Sequence, residues 1–252
     1  MEKARILPSF LKGLRIMQIV AEEPKGMKLA DIARAVGLPA SNVTLYINTM
    51  ASAGMVVRDP LNRKFFISPP TIEFFSNAGR GAIHRLLPIA EKPMNRLHKT
   101  LNENVLLAIR KDNTVVFIKS LTSSHIMGVK VEPEPDYPLH VTAAGRAVLA
   151  FLPEREIEVY LRRAKFKKLT SKTLTSAASV RDALAEVRKK GFAFNPGEFE
   201  EEVMALAAPI MFQGRPIASL VVQFPVMRHT EAKALKQAPL IVEQAKAIEN
   251  QL

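Results

Sequence analysis

Residues 30–50 read ADIARAVGLPASNVTLYINTM, two short helical stretches joined by one sharp turn, which is the outline of a helix-turn-helix. Ile32, Ala33 and Val36 form an apolar stripe at helical spacing, and Ala33 is small enough to let a second helix cross close by. Gly37 falls where the first helix must end with positive φ, a conformation that strains any residue bearing a Cβ. Pro39 suits a helix entry, and Val43, Tyr46, Ile47 and Met50 supply the second stripe. The outward face of that second helix carries Ser41, Asn42, Thr44, Leu45 and Asn48. In a DNA reader these side chains enter the major groove, where Asn reads adenine bidentately and Ser or Thr serves phosphates or base edges. An ordinary helical hairpin with a polar solvent face is the alternative for this stretch taken alone.

The flanks favour the DNA reader. Met55 to Arg58 and Arg63 to Ser68 are short β-like runs around the turn Asp59-Pro60-Leu61-Asn62, and a hairpin directly after a recognition helix is a wing. Arg58, Arg63 and Lys64 on this wing are placed to hold phosphates. Upstream, Phe10, Leu11, Leu14, Met17 and Val20 predict a further helix over Ser9 to Val20, completing a winged module over residues 1–70.

Charge points the same way. The 252-residue chain has a formal net charge of +12, and a strongly basic chain favours a polyanionic partner. Lys and Arg exceed Asp and Glu by five in residues 1–70, by three in 71–100 and by four in the remainder, so the excess is densest in the first hundred residues. The absence of cysteine excludes disulfides and thiolate metal sites and fits a reducing compartment. Lys12 and Arg15 interrupt the apolar residues of the N-terminus, so no leader-type apolar region forms there, and no uncharged run reaches the length of a membrane span. The expectation is a soluble, cytoplasmic protein of two domains.

Ser68-Pro69-Pro70 marks the edge of the first domain. Residues 71–100 return to helical spacing, with Ile72, Phe74 and Phe75 and then Ile83, Leu86, Leu87, Ile89, Ala90, Met94 and Leu97; Gly79 and Gly81 are expected to break the helix in two. So much apolar surface predicts a linker helix with a dimer contact, packing against its own domain being the alternative. From Asn104 the period becomes that of strands: Val105 to Arg110, Val115 to Ser120, His125 to Val131, Phe192 to Phe194, Leu206 to Phe212 and Ile217 to Phe224. Helices are expected from Thr142 to about Leu152, over Val180 to Lys190 behind a capping box of Ser179 and Asp182, and over Glu231 to Gln251 with an interruption at Pro239. Residues 101–252 therefore read as an α+β domain built on an antiparallel sheet.

Four segments resemble the IclR family of bacterial transcriptional regulators: KLADIARAVGLPASNV (28–43), YPLHVTAAGRAVLAFLPE (137–154), KLTSKTLT (168–175) and VRKKGFAFNPGEFEEEVMALAAPI (187–210). The resemblance implies an N-terminal winged helix-turn-helix, a dimerising linker helix, and a C-terminal GAF-like effector domain. It further implies a homodimer or dimer of dimers that binds a double-stranded DNA operator, and a small-molecule effector such as an organic or aromatic acid. The function expected is a ligand-responsive regulator, read as a repressor. Thr142-Ala143-Ala144-Gly145 makes physical sense in that light, because small side chains at a positive helix end let a carboxylate approach backbone N–H groups. The effector is expected against Ala143, Ala144 and Gly145, with Met127, Val129, Asn195, Ala205 and Gln223 as walls and His140 in reach. A tight helix start chosen for packing, and a structural His140, are the alternatives.

This chain departs from the family pattern at several positions. Leu45 stands where relatives carry Arg in the recognition helix, Asn195 and Ala205 where they carry Asp and Cys, and Glu202 where they carry Gly; Val221 and Gln223 replace small or hydroxyl residues. Asn donates as well as accepts, which points to a neutral or aromatic acid effector. No Gly-rich phosphate loop, nucleophile elbow or metal-ligand spacing of histidines is present, so neither a cofactor nor a metal is expected. The run Glu198, Glu200, Glu201, Glu202 reads as a solvated loop. A metabolite-binding enzyme on the GAF-like domain, with the first domain as an interaction module, is the alternative function.

Overall fold

The computed structural model describes residues 6–129 and 137–252, with backbone alone for residues 76–84. The chain divides into two compact units, Met1–His84 and Arg85–Leu252.

In the first unit, α1 (Pro8–Ala21), α2 (Leu29–Val36) and α3 (Ala40–Ser52) precede the hairpin of β1 (Val56–Arg58) and β2 (Phe65–Ile67). Ile16, Val20, Ile32, Val43, Ile47 and Val56 are buried together. The stripes of α2 and α3 are those read from the sequence, but α1 turns Gly13, Ile16 and Val20 inward and leaves Phe10, Leu11 and Leu14 of its expected stripe exposed. Gly37 closes α2 with φ of 68°, and the N–H of Leu38 returns to the carbonyl of Ala33, producing the sharp turn into α3. The wing tip is built by Asp59, whose carboxylate accepts from the N–H of Leu61 and from Asn62 Nδ2.

The helix α4 (Pro69–Leu101) is continuous, which corrects the expected break at Gly79 and Gly81. A glycine inside a helix weakens it by about 1 kcal/mol relative to Ala but does not end it. Within the second unit, Leu86, Ala90, Met94 and Leu97 of α4 are buried against the sheet, so this half of the helix covers its own domain. Ile72, Phe74 and Phe75 stay exposed.

The second unit holds a six-stranded antiparallel sheet with strand order β5-β4-β3-β8-β7-β6. Its strands are β3 (Val105–Lys111), β4 (Thr114–Leu121), β5 (Tyr137–Pro138), β6 (Ala193–Asn195), β7 (Val203–Phe212) and β8 (Arg215–Pro225). The period of two sorts side chains between two cores. Leu106, Ala108, Ala207 and Val221 face α5 (Ala143–Leu149), α6 (Glu154–Arg163) and α7 (Ala177–Lys190). Val105, Leu107, Leu206, Leu220, Val222 and Phe224 face α4, α8 (Glu231–Leu235) and α9 (Ala238–Glu249). The result is an α+β fold with a helical layer on each face of the sheet.

Three local expectations change. Residues 125–129 form no strand, and the remainder of the run expected there lies outside the described residues. Ser176, not Ser179, caps α7, its hydroxyl accepting from the N–H of Ser179, so the helix starts at Ala177. The expected interruption of the terminal helical region is present but falls at Lys236 and Gln237, and Pro239 sits in the first turn of α9, where its missing N–H is no loss.

Candidate functional site

The outward face of α3 and the wing form one groove. Its lining includes Thr44, Asn48, Arg58 and Arg63 from the expected DNA-binding set, joined by Lys28 and Asn62, which the sequence reading passed over. Thr44 and Asn48 are one helical turn apart, and the Thr44 hydroxyl donates to the Ala40 carbonyl at 2.8 Å, which fixes its rotamer and leaves its oxygen to accept. The Arg58 guanidinium lies 5.6 Å from the centre of the Phe65 ring, a cation–π contact that holds it on the wing. Arg63 takes φ of 57° at the wing tip. Lys64 differs from expectation, because its ammonium donates to the Lys25 carbonyl at 3.0 Å and tethers the wing to the loop before α2. Ser41, Asn42 and Leu45 lie on the exposed face of α3 outside the groove, Leu45 with 68% of its surface open.

In the second unit a cavity of about 60 Å³ lies between the sheet and the start of α5. The structure brings Val129, Ala143, Ala144, Asn195, Ala205 and Gln223 of the expected effector set to its wall. Val203, Ala205, Val221 and Gln223, on alternate positions of β7 and β8, all point to this face, and the small Ala205 leaves space among them. Phe117 reaches it because an irregularity in the register of β3 and β4 sets Phe117 opposite Ala108. Tyr137 lies 5.5 Å from Phe117 and 4.9 Å from Phe199, ring centre to ring centre, so three aromatic rings close one side. The cavity adjoins a wider hollow lined by Ile126, Met127, Val226 and Met227. Met127 belongs to that hollow and not to the cavity.

The polar groups on the wall are mostly donors, the exception being Glu200, which joins the lining from the loop after Phe199. The Thr142 hydroxyl accepts from the N–H of Gly145 at 2.9 Å, capping α5 and keeping its own proton to give. Ala143 and Ala144 occupy the first turn, where N–H groups have no intrahelical acceptor. Gln223 accepts from Asn104 at 3.1 Å, which leaves its amide N–H groups without an acceptor among the described residues. Asn195 is largely committed to the backbone: its oxygen accepts from the N–H groups of Gly197 and Glu198, and its Nδ2 donates to the Val141 carbonyl at 2.7 Å. One amide proton therefore remains, and the acceptor role expected of Asn195 is already filled.

Gly145 and His140 stand outside the cavity. A Cβ on Gly145 would meet the Leu139 carbonyl oxygen at 2.3 Å and Leu139 Cα at 2.4 Å, so the glycine serves a close backbone crossing and not ligand access. His140 is buried, with Nδ1 2.6 Å from the Tyr160 hydroxyl, and the same hydroxyl accepts from the His140 N–H at 3.0 Å. Burial, reinforced by the Arg146 charge, lowers His140 to about 4, and burial pushes Tyr160 up to about 12, so both are neutral near pH 7. The structural alternative for both residues is the one the geometry supports.

Two supports of the cavity were missed in the sequence. Glu198 is not part of a solvated loop: Arg146 Nη1 lies 2.8 Å from each of its carboxylate oxygens, and the two side chains are 3% and 5% exposed. Arg146 Nη2 also donates to the Phe194 carbonyl at 2.7 Å, so α5 grips the loop that carries Asn195 and Phe199. Glu200, Glu201 and Glu202 are exposed, as read. Elsewhere, Arg228 donates to both oxygens of buried Glu103, at 2.9 and 2.6 Å, and to the Met127 carbonyl at 2.6 Å, fixing the loop that brings Val129 to the wall. Burial alone would raise Glu103, but Arg228 and His229 hold it below the usual carboxylate range. Only an Arg four residues after a capping Thr, and a Glu three residues after Asn195, marked these partners, and charge spacing alone does not pair residues 52 positions apart.

The family model for the Bacterial transcriptional regulator IclR C-terminal matches residues 82–250, and that for the IclR helix-turn-helix domain matches residues 9–60. The chain belongs to the IclR family. Among IclR relatives, it is 26% identical to the Transcriptional repressor IclR of Escherichia coli, over 95% of this chain and 88% of that protein. It is 24% identical to the HTH-type transcriptional regulator KdgR of the same organism, over 97% and 92%. The fold is shared with the Thermotoga maritima IclR crystal structure, with a TM-score of 0.64, 24% identity, and coverage of 97% of this chain and 98% of that one. It is also shared with an IclR homolog from Microbacterium hydrocarbonoxydans complexed with 4-hydroxybenzoate, with a TM-score of 0.61, 23% identity, and coverage of 97% and 98%. As an IclR-family protein, the chain is a ligand-responsive DNA-binding transcriptional regulator and not an enzyme, which sets aside the enzymatic alternative. No described helix is long and apolar enough to cross a membrane.

Proposed function

We propose that this regulator acts in the cytoplasm as a homodimer or dimer of dimers. In this reading α3 reads an operator through Ser41, Asn42, Thr44, Leu45 and Asn48, while Arg58 and Arg63 hold phosphates and Lys64 braces the wing. The residue ranges 1–70, 71–100 and 101–252 serve as reader, linker and effector domain. The exposed apolar residues Phe10, Leu11 and Leu14 on α1 and Ile72, Phe74 and Phe75 on α4 support coverage by a second copy.

The effector is a small aromatic or neutral-ended acid. The observation that carries this is the cavity wall, where uncharged donors from Thr142, Ala143, Ala144 and Gln223 face three aromatic rings, with no Lys, Arg or His in the lining and with its one charged residue, Glu200, exposed at the edge. Uncharged donors hold a carboxylate or carbonyl, and the rings cover an aromatic body. The 4-hydroxybenzoate complex of the Microbacterium homolog agrees with that chemistry. Effector binding then shifts the equilibrium between two arrangements of the dimer, and operator affinity with it.

The test is a thermal-shift screen of small carboxylic acids, benzoate and 4-hydroxybenzoate among them, against the full chain, followed by titration calorimetry on Ala205→Phe. A ring at position 205 fills the cavity, so stabilising acids are expected to lose binding at least tenfold while DNA affinity stays. Acids that bind Ala205→Phe as tightly as the unaltered chain place the site elsewhere. Thr44→Ala with Asn48→Ala is expected to abolish preference for DNA upstream of the protein's own gene over unrelated DNA, each base contact carrying about 1–3 kcal/mol.

A further inference from the structure

The net charge of the C-terminal unit is concentrated in one segment. Residues 101–252 hold 21 Lys and Arg against 17 Asp and Glu; seven of the 21 and none of the 17 fall within residues 159–181, leaving the rest of that region with a net charge of −3. Two of the seven are neutralised, Lys172 by Glu231 and Arg181 by Glu154 and Glu158. The other five, Arg162, Arg163, Lys165, Lys167 and Lys168, are exposed, and none forms an ion pair among the described residues.

Among the described residues, the carboxylates of α6 form their ion pairs with other cations, although the Arg162 charge also acts on Glu158. Glu154 and Glu158 are held by Arg181 and Arg188 of α7, and Glu156 by Arg110 and Arg215 of the β3–β4 and β7–β8 ends of the sheet. Nor is the segment a loose tail. Phe166 turns inward onto His140, with ring centres 5.0 Å apart, and Thr170 is buried, donating to the Gly197 carbonyl at 2.8 Å. Lys165 just before the first pin, and Lys167 and Lys168 between the two, are exposed on the short irregular backbone that follows α6. Basic residues at a helix C-terminus account for Arg162 and Arg163 by the helix dipole. That account does not extend to the three lysines beyond it. Five like charges fixed within seven residues repel one another, and the repulsion is relieved by a polyanion that supplies phosphates along a line.

We infer that residues 162–168 form a second DNA-binding surface on the effector domain, one that grips the phosphate backbone of duplex DNA without reading sequence. It adds affinity and salt dependence to the regulator while the winged helix supplies sequence choice.

The test is fluorescence anisotropy of the full chain with a duplex lacking any operator, across a salt series. In a ridge variant all five residues are replaced by Gln. In a control variant Lys92, Lys99, Lys189, Lys236 and Lys246, equally exposed, are replaced by Gln, removing the same net charge. Each lost phosphate contact flattens the slope of log affinity against log salt by about 0.9, so the ridge variant is expected to lose roughly 2–4 from the slope and at least tenfold in low-salt affinity. The control is expected to stay near the unaltered chain. An unchanged slope in the ridge variant overturns the inference, and so does an equal loss in the control, which would reduce the effect to net charge. Because the duplex carries no operator, the outcome is independent of whether the winged helix selects a sequence.

Discussion

Replacing Arg146 with Met isolates the pair that joins α5 to the wall loop. The Glu198 carboxylate accepts from Arg146 at 2.8 Å on both oxygens and has no other hydrogen-bond donor among the described residues, in a site where its side chain is 5% exposed. Removing the guanidinium leaves a buried carboxylate with neither countercharge nor hydrogen bond, which costs about 3–5 kcal/mol. For a domain of this size that corresponds to a fall in Tm of roughly 6–20 °C. Burial already holds Glu198 above the ordinary carboxylate range, and Arg146 pulls it back; without Arg146 it rises further. A carboxyl whose folded pKa lies above its unfolded value contributes stability that is complete below the unfolded pKa and is lost as pH rises through the folded one. The deficit of the variant is therefore smallest in mild acid and grows toward neutral pH. Urea denaturation of the full chain, followed by far-UV circular dichroism at about pH 5 and about pH 8, measures both effects. Arg146→Met with Glu198→Gln is expected to recover most of the loss, since a buried pair replaced as a whole is close to neutral. A single-variant loss below about 1 kcal/mol, the range of a solvent-exposed pair, with no dependence on pH, would refute the reasoning.

Gly145→Ala drives a methyl into the Leu139 backbone, and is expected to destabilise the effector domain by about 1–3 kcal/mol in thermal melts although position 145 does not line the cavity. Tyr160→Phe removes the hydroxyl shared by the His140 N–H and ring, leaving buried polar atoms unpaired at a cost of about 1–3 kcal/mol in denaturant titrations; an unchanged midpoint argues against that bond. His140 is expected to stay neutral down to about pH 4, which ring-carbon NMR shifts report directly. Its folded value lies below the unfolded 6.5, so the associated stability, about 3 kcal/mol, is present above pH 6.5 and is lost as pH falls toward 4.

The first unit was legible because its determinants are local. Gly37 at the turn, Asp59 in the wing and the stripes of α2 and α3 each act within a few residues, and each appears where periodicity and turn chemistry put it. The sheet strands β3, β4, β7 and β8 were legible for the same reason, alternation being visible in any single strand. What failed was the assignment of purpose to residues whose partners are distant in sequence. Gly145 was read against a ligand, but it answers to Leu139 across a tight turn. Lys64 was read against phosphate alone, and its carbonyl partner 39 positions away was not visible in the spacing. The capping role fell to Ser176 over Ser179 because both are small hydroxyl residues three apart, and the choice depends on where the preceding loop delivers the chain.

Asn195 shows how a pocket residue can be selected by its loop. Its amide donates to Val141 ahead of α5 and its oxygen gathers the N–H groups of Gly197 and Glu198, so one side chain sets the spacing between the two segments that face each other across the cavity. An aspartate in the same place keeps the two backbone acceptances but sets a carboxylate oxygen against the Val141 carbonyl at 2.7 Å, two acceptors with no proton between them. The loop would then have to withdraw or the carboxyl retain a proton. Glu198, held by Arg146 three residues further on, opposes withdrawal. The amide is therefore the form this loop accommodates in its present position, and the polarity of the cavity follows from that constraint: the acceptor side of residue 195 is closed off by backbone, and what reaches the ligand space is donor.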